Sequence, residues 1–239
     1  MLKQTFDKEQ LKKALTSADV WKWDVLNIYG DVDNAIGHTI NYWKGTGLRL
    51  SPLKKGQAKS KEIFRAAIAE DDFAIRLLDR FIRRVYKVRQ ADRNRIVRQV
   101  VTLLKDPSDL HVIRLDIKSC YESIKFSKII EKFEDDLILA PECIRLLKEI
   151  HEELVEKHNV DGLPRGLSIS PTLAELFLER FDAKIALHPD VLYRARYVDD
   201  IVIFTTSIKN DKVKSDPSQF NRQSVPLKQH NNFVHIEWD

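Results

Sequence analysis

Apolar residues at helical spacing run through the N-terminal part of the chain and predict helices. Residues 2–29 follow this pattern, and Asp7 precedes a charged turn in the manner of a helix cap. Trp21 and Trp23 fall within the pattern, and we interpret them as packing residues. Residues 30–56 hold five of the seven glycines and break the pattern, so they predict a loop-rich connection.

The most regular helical pattern covers residues 62–84 and predicts one long amphipathic helix. Residues 126–158 predict further helix, with a second helix beginning at Pro141. Residues 85–98 are basic and alternate at first, which fits either a two-stranded ribbon or a strand followed by a helix. Arginine offers a planar fork for phosphate oxygens, so these residues suit a triphosphate or a template backbone. A basic surface hairpin accounts for them equally.

Two short apolar runs predict strands that carry acids. Residues 112–117 read as a buried strand with Asp116 near its end. Residues 196–204 read as a hairpin of two buried strands, with Asp199 and Asp200 at its tip as the only acids of the run. Carboxylates held close together repel each other and lose hydration, which is costly unless a cation compensates. A divalent metal ion would compensate both acidic segments.

The Asp199-Asp200 pair is weak evidence when it is taken alone. Aspartate is common in turns, so a polar hairpin turn accounts for the pair equally well. Two other pairs occur in the chain, and we interpret them as solvated helix or turn residues: Asp71-Asp72 and Asp135-Asp136.

Residues 162–171 contain two glycines and two prolines, which predicts a defined loop leading into a helix. Pro171 suits the first turn of that helix because its missing N–H has no partner to lose there. Gly166 has no side chain, so a base or a sugar could approach the backbone closely at this point. Taken alone, the segment would be an ordinary loop-helix junction.

The charge of the chain is unevenly distributed. The chain has 239 residues and a net charge of +4. Residues 54–105 contain 15 Lys and Arg but only 6 Asp and Glu, so this stretch has a net charge of +9 and the remainder −5. A basic segment joined to an acidic one fits a protein that holds polyanions on one side and metal ions on the other. Within it, we favour a solvated connection over phosphate contact for residues 54–61.

Several classes of protein are disfavoured. Cys120 and Cys143 lie far apart, which suggests neither a disulfide framework nor a zinc site. No segment approaches ~20 uninterrupted apolar residues, and the chain begins without an apolar signal run. We therefore expect a cytoplasmic protein with no membrane partner.

Three blocks together resemble the palm motifs of reverse transcriptases. They are Leu-Asp-Ile-Lys-Ser-Cys-Tyr at 115–121, Gly-Leu-Pro-Arg-Gly-Leu-Ser-Ile-Ser-Pro at 162–171 and Tyr-Val-Asp-Asp at 197–200. The resemblance covers residues 86–204, roughly half of the chain, and is strongest to bacterial enzymes of the retron, group II intron and abortive-infection or antiviral-defence type. The first 60 residues carry no matching motif.

The resemblance implies an α+β fold, a right-hand polymerase palm in which an antiparallel sheet has helices on one face, joined to helical and basic fingers. It divides the chain into an N-terminal helical region and loop (1–60), a fingers-like basic region (61–110), the palm (111–206) and a polar, irregular tail (207–239). The tail is too short and too polar for a helical thumb. We therefore expect a thumb that is absent or truncated, in a truncated or frameshifted product.

The resemblance also implies the site. Asp116 and Asp199 resemble the carboxylates that hold two Mg²⁺ ions, for which Mn²⁺ is an alternative, and Asp200 resembles the supporting third. Tyr121 resembles the bulky gate that crowds a ribose 2′-hydroxyl, which implies deoxynucleoside triphosphates as substrates. The implied substrate-binding residues are completed by Lys87, Arg93 and Arg95 on the triphosphate, Gly166, and Arg165, which stands where the family usually has Gln.

The implied function is RNA-directed DNA synthesis on an RNA template and a DNA primer, in antiviral defence, with a partner protein or an oligomer replacing the thumb. Template-independent DNA synthesis is an alternative within the same family. A non-catalytic nucleic-acid-binding module that retains palm and fingers is a second alternative. A nucleotidyl cyclase is a third, and the Leu-Pro-Arg-Gly block and Tyr121 count against it.

Overall fold

A computed structural model describes residues 3–108 and 110–206, together with the backbone of residues 227–228. The helices are α1 (Lys8–Ala14), α2 (Ser17–Lys22), α3 (Val25–Tyr29), α4 (Val32–Thr46), α5 (Ala69–Val85), α6 (Arg93–Leu103), α7 (Cys120–Ser123), α8 (Phe126–Asp136), α9 (Pro141–His158) and α10 (Ser170–Ala186). The strands are β1 (Lys54–Ala58), β2 (Lys61–Arg65), β3 (His111–Ile117), β4 (Val191–Tyr197), β5 (Asp200–Thr205) and β6 (Leu227–Lys228).

The chain folds as two units, each made of two stretches. The first unit comprises Met1–Val88 and Lys125–Leu173, and the second comprises Arg89–Ile124 and Ala174–Asp239. The predicted divisions at residues 61, 111 and 207 describe consecutive regions instead, and they stay predictions. The predicted tail, 207–239, lies outside the described residues except for the backbone of β6.

Helix α5 is the core of the first unit. Most of its side chains are buried, among them Phe73, Leu77 and Phe81. The ring of Phe6 lies edge-on against Phe81, with the ring centroids 5.4 Å apart. The N-terminal segment thus packs its apolar residues on α5, which is what stabilises short helices that would be marginal alone.

Three acids in the first turn of α5 are buried, against the interpretation of Asp71-Asp72 as solvated. Glu70, Asp71 and Asp72 are only 6%, 2% and 4% exposed. Each accepts hydrogen bonds from an earlier part of the chain: Glu70 from Tyr29 and His38 Nδ1 at 3.0 and 2.9 Å, Asp71 from the Ser51 N–H at 2.9 Å, and Asp72 from Lys22 and Trp23 Nε1 at 2.7 and 2.8 Å. Burial is tolerated because each carboxylate has a donor.

The N-terminal predictions were right about helix and wrong about its extent. Asp7 caps α1 by accepting a hydrogen bond from the Gln10 N–H, as expected. Residues 2–29 form three short helices, and Trp21 is 82% exposed, so it is not a packing residue. The expected loop across residues 30–56 is largely the 15-residue helix α4.

Two predictions on the basic stretch are also corrected. Residues 61–65 form strand β2, so the long helix begins at Ala69 rather than at residue 62. The prediction of a two-stranded ribbon at residues 85–98 is wrong. Helix α5 ends at Val85, Lys87 has a left-handed backbone conformation, and α6 begins at Arg93 after an N-cap at Asp92. The two-stranded basic ribbon is instead β1 paired antiparallel with β2.

The second unit is built on a four-stranded antiparallel sheet with strand order β4-β5-β3-β6. Successive side chains of a strand point to opposite faces, so Leu115 and Ile117 share one face of β3, and Arg114 and Asp116 share the other. Leu115 and Ile117 are buried, whereas Arg114 is exposed. The predicted α+β class, with an antiparallel sheet and helices, is confirmed. None of the helices in the described part of the chain has the length and apolar character needed to cross a membrane.

Candidate active site

The structure brings the two acidic segments together at one end of the sheet. Strands β3 and β5 are antiparallel in a register that places Asp116 directly opposite Asp200. The Ile117 N–H donates to the Asp199 carbonyl oxygen at 3.0 Å, which fixes the end of β3 against the turn before β5. Side chains directly opposite each other in such a pair have Cβ atoms about 5 Å apart. Residues 83 or more positions apart in sequence therefore share one site.

The predicted hairpin is present, and its turn is strained. Strand β4 ends at Tyr197 and β5 begins at Asp200, with Tyr197 and Asp200 paired, so Val198 and Asp199 form a two-residue turn. Val198 has φ of 59°, a left-handed conformation that is an outlier for a β-branched residue. Such a backbone costs about 1–3 kcal/mol and persists only where neighbouring groups hold it.

Asp200 is held by an ion pair on the open face of the sheet. Arg114 Nη2 donates to Asp200 Oδ1 at 3.0 Å, and both side chains are more than half exposed. The hydrogen bond to Asp200 raises the pKa of Arg114 above its usual value. Asp116 shares this face, since it lies two residues after Arg114 on the same strand. Arg114 thus neutralises one carboxylate of the group.

The donor set suits a hard divalent cation. Among residues 3–108 and 110–206, no group of three or more His, Cys, Asp or Glu side chains is placed so that it could hold a metal ion. Mg²⁺ does not require such a group, because it is usually held by one or two carboxylates together with water and substrate phosphates. Asp116 lies opposite Asp200, and the Asp199 carbonyl bonds to the residue after Asp116, so the segments present carry carboxylates of the kind that Mg²⁺ binds. The predicted role of Asp200 as a further ligand stays a prediction.

The opposite face of the hairpin buries an arginine. The Arg196 side chain is 4% exposed, and its guanidinium pairs with Glu175 and Asp182, which lie on one side of α10. Burial alone would lower the pKa of Arg196, but hydrogen bonds to Asp182 and Glu175 outweigh it and raise the pKa. Arg196 Nη1 also donates to the Val198 carbonyl oxygen at 3.0 Å, so the same side chain reaches the turn. No sequence pattern had singled out Arg196.

Tyr121 follows β3 closely in the chain. Ser119, with φ of 52°, ends the strand segment and starts the short helix α7, which contains Tyr121. This arrangement confirms the predicted turn into a helix after Asp116. Tyr121 is half-buried and belongs to the same unit as Asp116. Its role as a gate stays a prediction.

The predicted triphosphate ligands fall in both units. Arg93 and Arg95 are exposed in the first turn of α6, in the second unit. Burial raises the pKa of Tyr193 on β4, and nearby Arg95 partly opposes that rise. The Tyr193 hydroxyl donates to Gln99 of α6 at 3.0 Å, so α6 lies against β4. Lys87 belongs to the first unit, and the structure does not test its predicted contact with substrate.

Arg165 and Gly166 lie in the first unit, where their loop packs against β2. The Phe64 N–H donates to the Arg165 carbonyl oxygen at 2.6 Å. Gly166 has φ of +97°, and a Cβ added there would lie 2.6 Å from the Phe64 carbonyl oxygen. The close backbone approach at Gly166 is therefore made by a neighbouring strand. The prediction that a base or a sugar approaches Gly166 remains untested.

The hairpin β1–β2 contains residues 54–61, for which the sequence favoured a solvated connection over phosphate contact. Its turn is Lys59-Ser60, both with positive φ, as a tight hairpin turn requires. Five cationic side chains are exposed along it: Lys54, Lys55, Lys59, Lys61 and Arg65. Their exposure agrees with a solvated connection, and contact with phosphate stays a prediction.

The chain was compared with known proteins. A sequence profile of the reverse transcriptase (RNA-dependent DNA polymerase) family matches residues 54–225, which is more than half of the chain. No curated protein matches it. One solved structure that it resembles is apo telomerase from Candida tropicalis truncated from its C-terminal domain, at 15% sequence identity and a TM-score of 0.39, with 75% of this chain and 50% of that chain covered. Another is telomerase from Candida tropicalis in complex with a TWJ fragment of telomeric RNA, at 14% identity and a TM-score of 0.40, with 77% of this chain and 42% of that chain covered.

This chain thus spans about half the length of the solved chains, and at such TM-scores their likeness carries no argument about it. The family assignment depends on the profile match alone, which spans both acidic segments and the Leu-Pro-Arg-Gly loop. The chain therefore belongs to the reverse transcriptase (RNA-dependent DNA polymerase) family.

Proposed function

We propose that this chain is an RNA-directed DNA polymerase that extends the 3′-hydroxyl of a primer with deoxynucleotides. The observation that carries the proposal is the placement of Asp116 beside the Val198-Asp199 turn. Asp116 on β3 lies opposite Asp200, the residue after Asp199, so acids from two distant segments meet at one end of the sheet. A structural turn would not need a second acid opposite it, since the two acids repel each other, and the Arg114 cation lies beside them.

In this proposal Asp116 and Asp199 hold two Mg²⁺ ions, for which Mn²⁺ can substitute. When bound, the metal would activate the 3′-hydroxyl and neutralise charge on the leaving pyrophosphate. Asp200, paired with Arg114, supports the two ligands from the neighbouring strand position. Positioning and charge neutralisation supply most of the catalysis in phosphoryl transfers, so the rigidity of these strands matters directly.

The remaining roles follow from the family. Tyr121 would select deoxynucleotides by excluding a 2′-hydroxyl, and Lys87, Arg93, Arg95 and Arg165 would bind the triphosphate or the template, with Gly166 allowing close approach. The resemblance to retron, group II intron and abortive-infection enzymes supports a role in bacterial antiviral defence, in the cytoplasm.

The test is nucleotide incorporation on a primed RNA template with Mg²⁺. We expect Asp199→Asn and Asp116→Asn each to reduce incorporation at least about 100-fold, because each removes a charge that holds the metal. Asp190→Asn is the matched control, since Asp190 is exposed at the far end of the same hairpin. Omitting the template separates templated from untemplated synthesis. Unchanged incorporation by Asp199→Asn would refute the catalytic assignment.

A second candidate function, nucleic-acid binding without turnover, is favoured by the exposed cations of β1–β2. Cations that neutralise phosphates release counterions, so binding would weaken steeply as salt rises. RNA binding of this kind with no incorporation by the unmodified chain would select this alternative. Replacing Lys54 and Lys61 by Gln should then reduce the slope of log affinity against log salt by roughly one per lost phosphate contact.

A further inference from the structure

Arg196 uses all of its hydrogen-bonding capacity in the described structure. A guanidinium has five N–H donors in a fixed fork. Its contacts with α10 are two-pronged on both acids: Nε and Nη2 donate to Asp182 at 3.0 and 2.8 Å, and Nη1 and Nη2 donate to Glu175 at 3.1 and 2.6 Å. The fifth donor goes to the backbone, from Nη1 to the Val198 carbonyl oxygen at 3.0 Å. The side chain therefore connects a rigid helix to one peptide of the turn.

Both carbonyl groups of the Val198-Asp199 turn accept hydrogen bonds. Arg196 holds the Val198 carbonyl from below the sheet, and the Ile117 N–H holds the Asp199 carbonyl from β3. Between these two contacts lies the unfavourable φ of Val198. A valine released from such contacts would leave the left-handed region, because its branched side chain clashes there. That movement would rotate the peptide that carries Asp199.

Stability alone does not account for this arrangement. Replacing a buried ion pair by apolar residues of similar size is often neutral or stabilising, so Arg196 is not required merely to fill the space under β4. A lysine could neutralise Glu175 or Asp182, but it has three donors from a single nitrogen and could not pair with both acids side-on while also reaching Val198. Only arginine satisfies the helix and the turn together.

We propose that Arg196 is a positioning residue for polymerisation: anchored by Glu175 and Asp182, it holds the strained Val198-Asp199 turn so that the Asp199 carboxylate stays beside Asp116. This inference rests on the proposed function, because it assigns Arg196 to the same site. Arg196 itself contacts neither substrate nor metal in this scheme. It acts through the backbone of Val198.

The test uses Val198→Gly as a suppressor of Arg196→Lys. We expect Arg196→Lys to lower kcat on the order of 10- to 100-fold, since small misplacement of a catalytic group has effects of this size. The KM for the nucleotide should change little, and the Mg²⁺ concentration for half-maximal rate should rise. Glycine adopts positive φ without a clash, so Arg196→Lys/Val198→Gly should regain roughly tenfold in kcat.

Ala195→Gly in the Arg196→Lys background is the matched control, because it adds flexibility one residue away without relieving the turn. If it restores activity as well as Val198→Gly does, or if neither restores any, the proposal is overturned. If Arg196→Lys fails to fold, a triple variant with Arg196→Met, Glu175→Gln and Asp182→Asn provides a second test of the proposal. It removes the charges together with the donor to Val198, and we expect it to fold and to remain as slow as Arg196→Lys.

A readout independent of activity keeps this inference separate from the proposed function. Exchange of the Ile117 amide hydrogen reports its bond to the Asp199 carbonyl. Arg196→Lys should accelerate this exchange roughly tenfold, and adding Val198→Gly should reverse it, whereas the Thr206 amide at the other end of the hairpin should not change. Equal acceleration at Ile117 and Thr206 would mean general loosening of the sheet and would refute a positioning role. An inactive unmodified chain with the expected exchange would reject the proposed function but retain the role of Arg196 in the turn.

Discussion

Substitution of Gly166 tests the packing of the loop that carries the Leu-Pro-Arg-Gly block. In Gly166→Ala, the new Cβ would lie 2.6 Å from the Phe64 carbonyl oxygen, a backbone atom that cannot rotate away. The φ of +97° adds a conformational penalty that glycine does not have. The loop and β2 must separate to relieve the contact, which weakens the hydrogen bond from Phe64 to Arg165.

The magnitude follows from these terms. A non-glycine residue at such a φ costs about 1–3 kcal/mol, and loss of one backbone hydrogen bond costs about 0.5–1.5 kcal/mol. We therefore expect Gly166→Ala to lower the free energy of unfolding by about 2–4 kcal/mol. Urea unfolding followed by tryptophan fluorescence measures it, since Trp21, Trp23 and Trp43 all lie in the first unit with Gly166.

Gly37→Ala is the matched control in the same unit. Gly37 lies within α4, and a Cβ added there meets nothing within 4 Å. Alanine should stabilise the helix by roughly 0.5–1 kcal/mol. A loss below about 0.5 kcal/mol for Gly166→Ala would refute the steric reasoning. If such a stable variant lost polymerase activity, the original prediction that a base or a sugar approaches Gly166 would be favoured instead.

Two further predictions concern buried ionisable groups. Burial raises the pKa of Asp71 above its unfolded value of 3.8, so at pH values between the two the native state binds more protons than the unfolded state. The free energy of unfolding should therefore fall as pH rises through the folded pKa. Urea midpoints measured from pH 4 to 7 should fall less in Asp71→Asn. Burial, assisted by the charge of Glu142, raises the pKa of Cys143 to about 12. After iodoacetamide treatment at pH 8, mass spectrometry should find Cys143 unmodified in the native protein and modified in urea. Modification at equal rates in both would contradict the burial of Cys143.

The acidic strands could be predicted from the sequence because their pattern is local. The apolar run around Asp116 and the apolar flanks of Asp199 indicate strands, and the structure contains them, but β3 and β4 are only partly buried, against the prediction of buried strands. The start of α9 could also be predicted from the sequence, because Pro141 lacks an N–H and favours the first helical turn. That Asp116 lies opposite Asp200 required the family resemblance, because register between distant strands leaves no local trace.

Other elements were missed because distant contacts decide them. Ile63 and Phe64 continue the periodicity of the helix that follows, yet their segment pairs with β1 and bonds to Arg165, 101 residues from Phe64. Glycines 37 and 45 suggested a loop, but buried neighbours on α4, including Ile36 and Trp43, outweigh the low helical propensity of glycine. Arg196 gave no signal because its partners lie 14 and 21 positions earlier on a helix.

The carboxylates at the start of α5 link the core helix of the first unit to the N-terminal fifty residues. Tyr29, Ser51 and Lys22 are among the donors to these buried acids. Deleting this segment to isolate the matched motifs would remove these donors from the central helix of the first unit and uncover apolar surface around that helix. We therefore expect the residues that precede the matched span 54–225 to be needed for the first unit to fold.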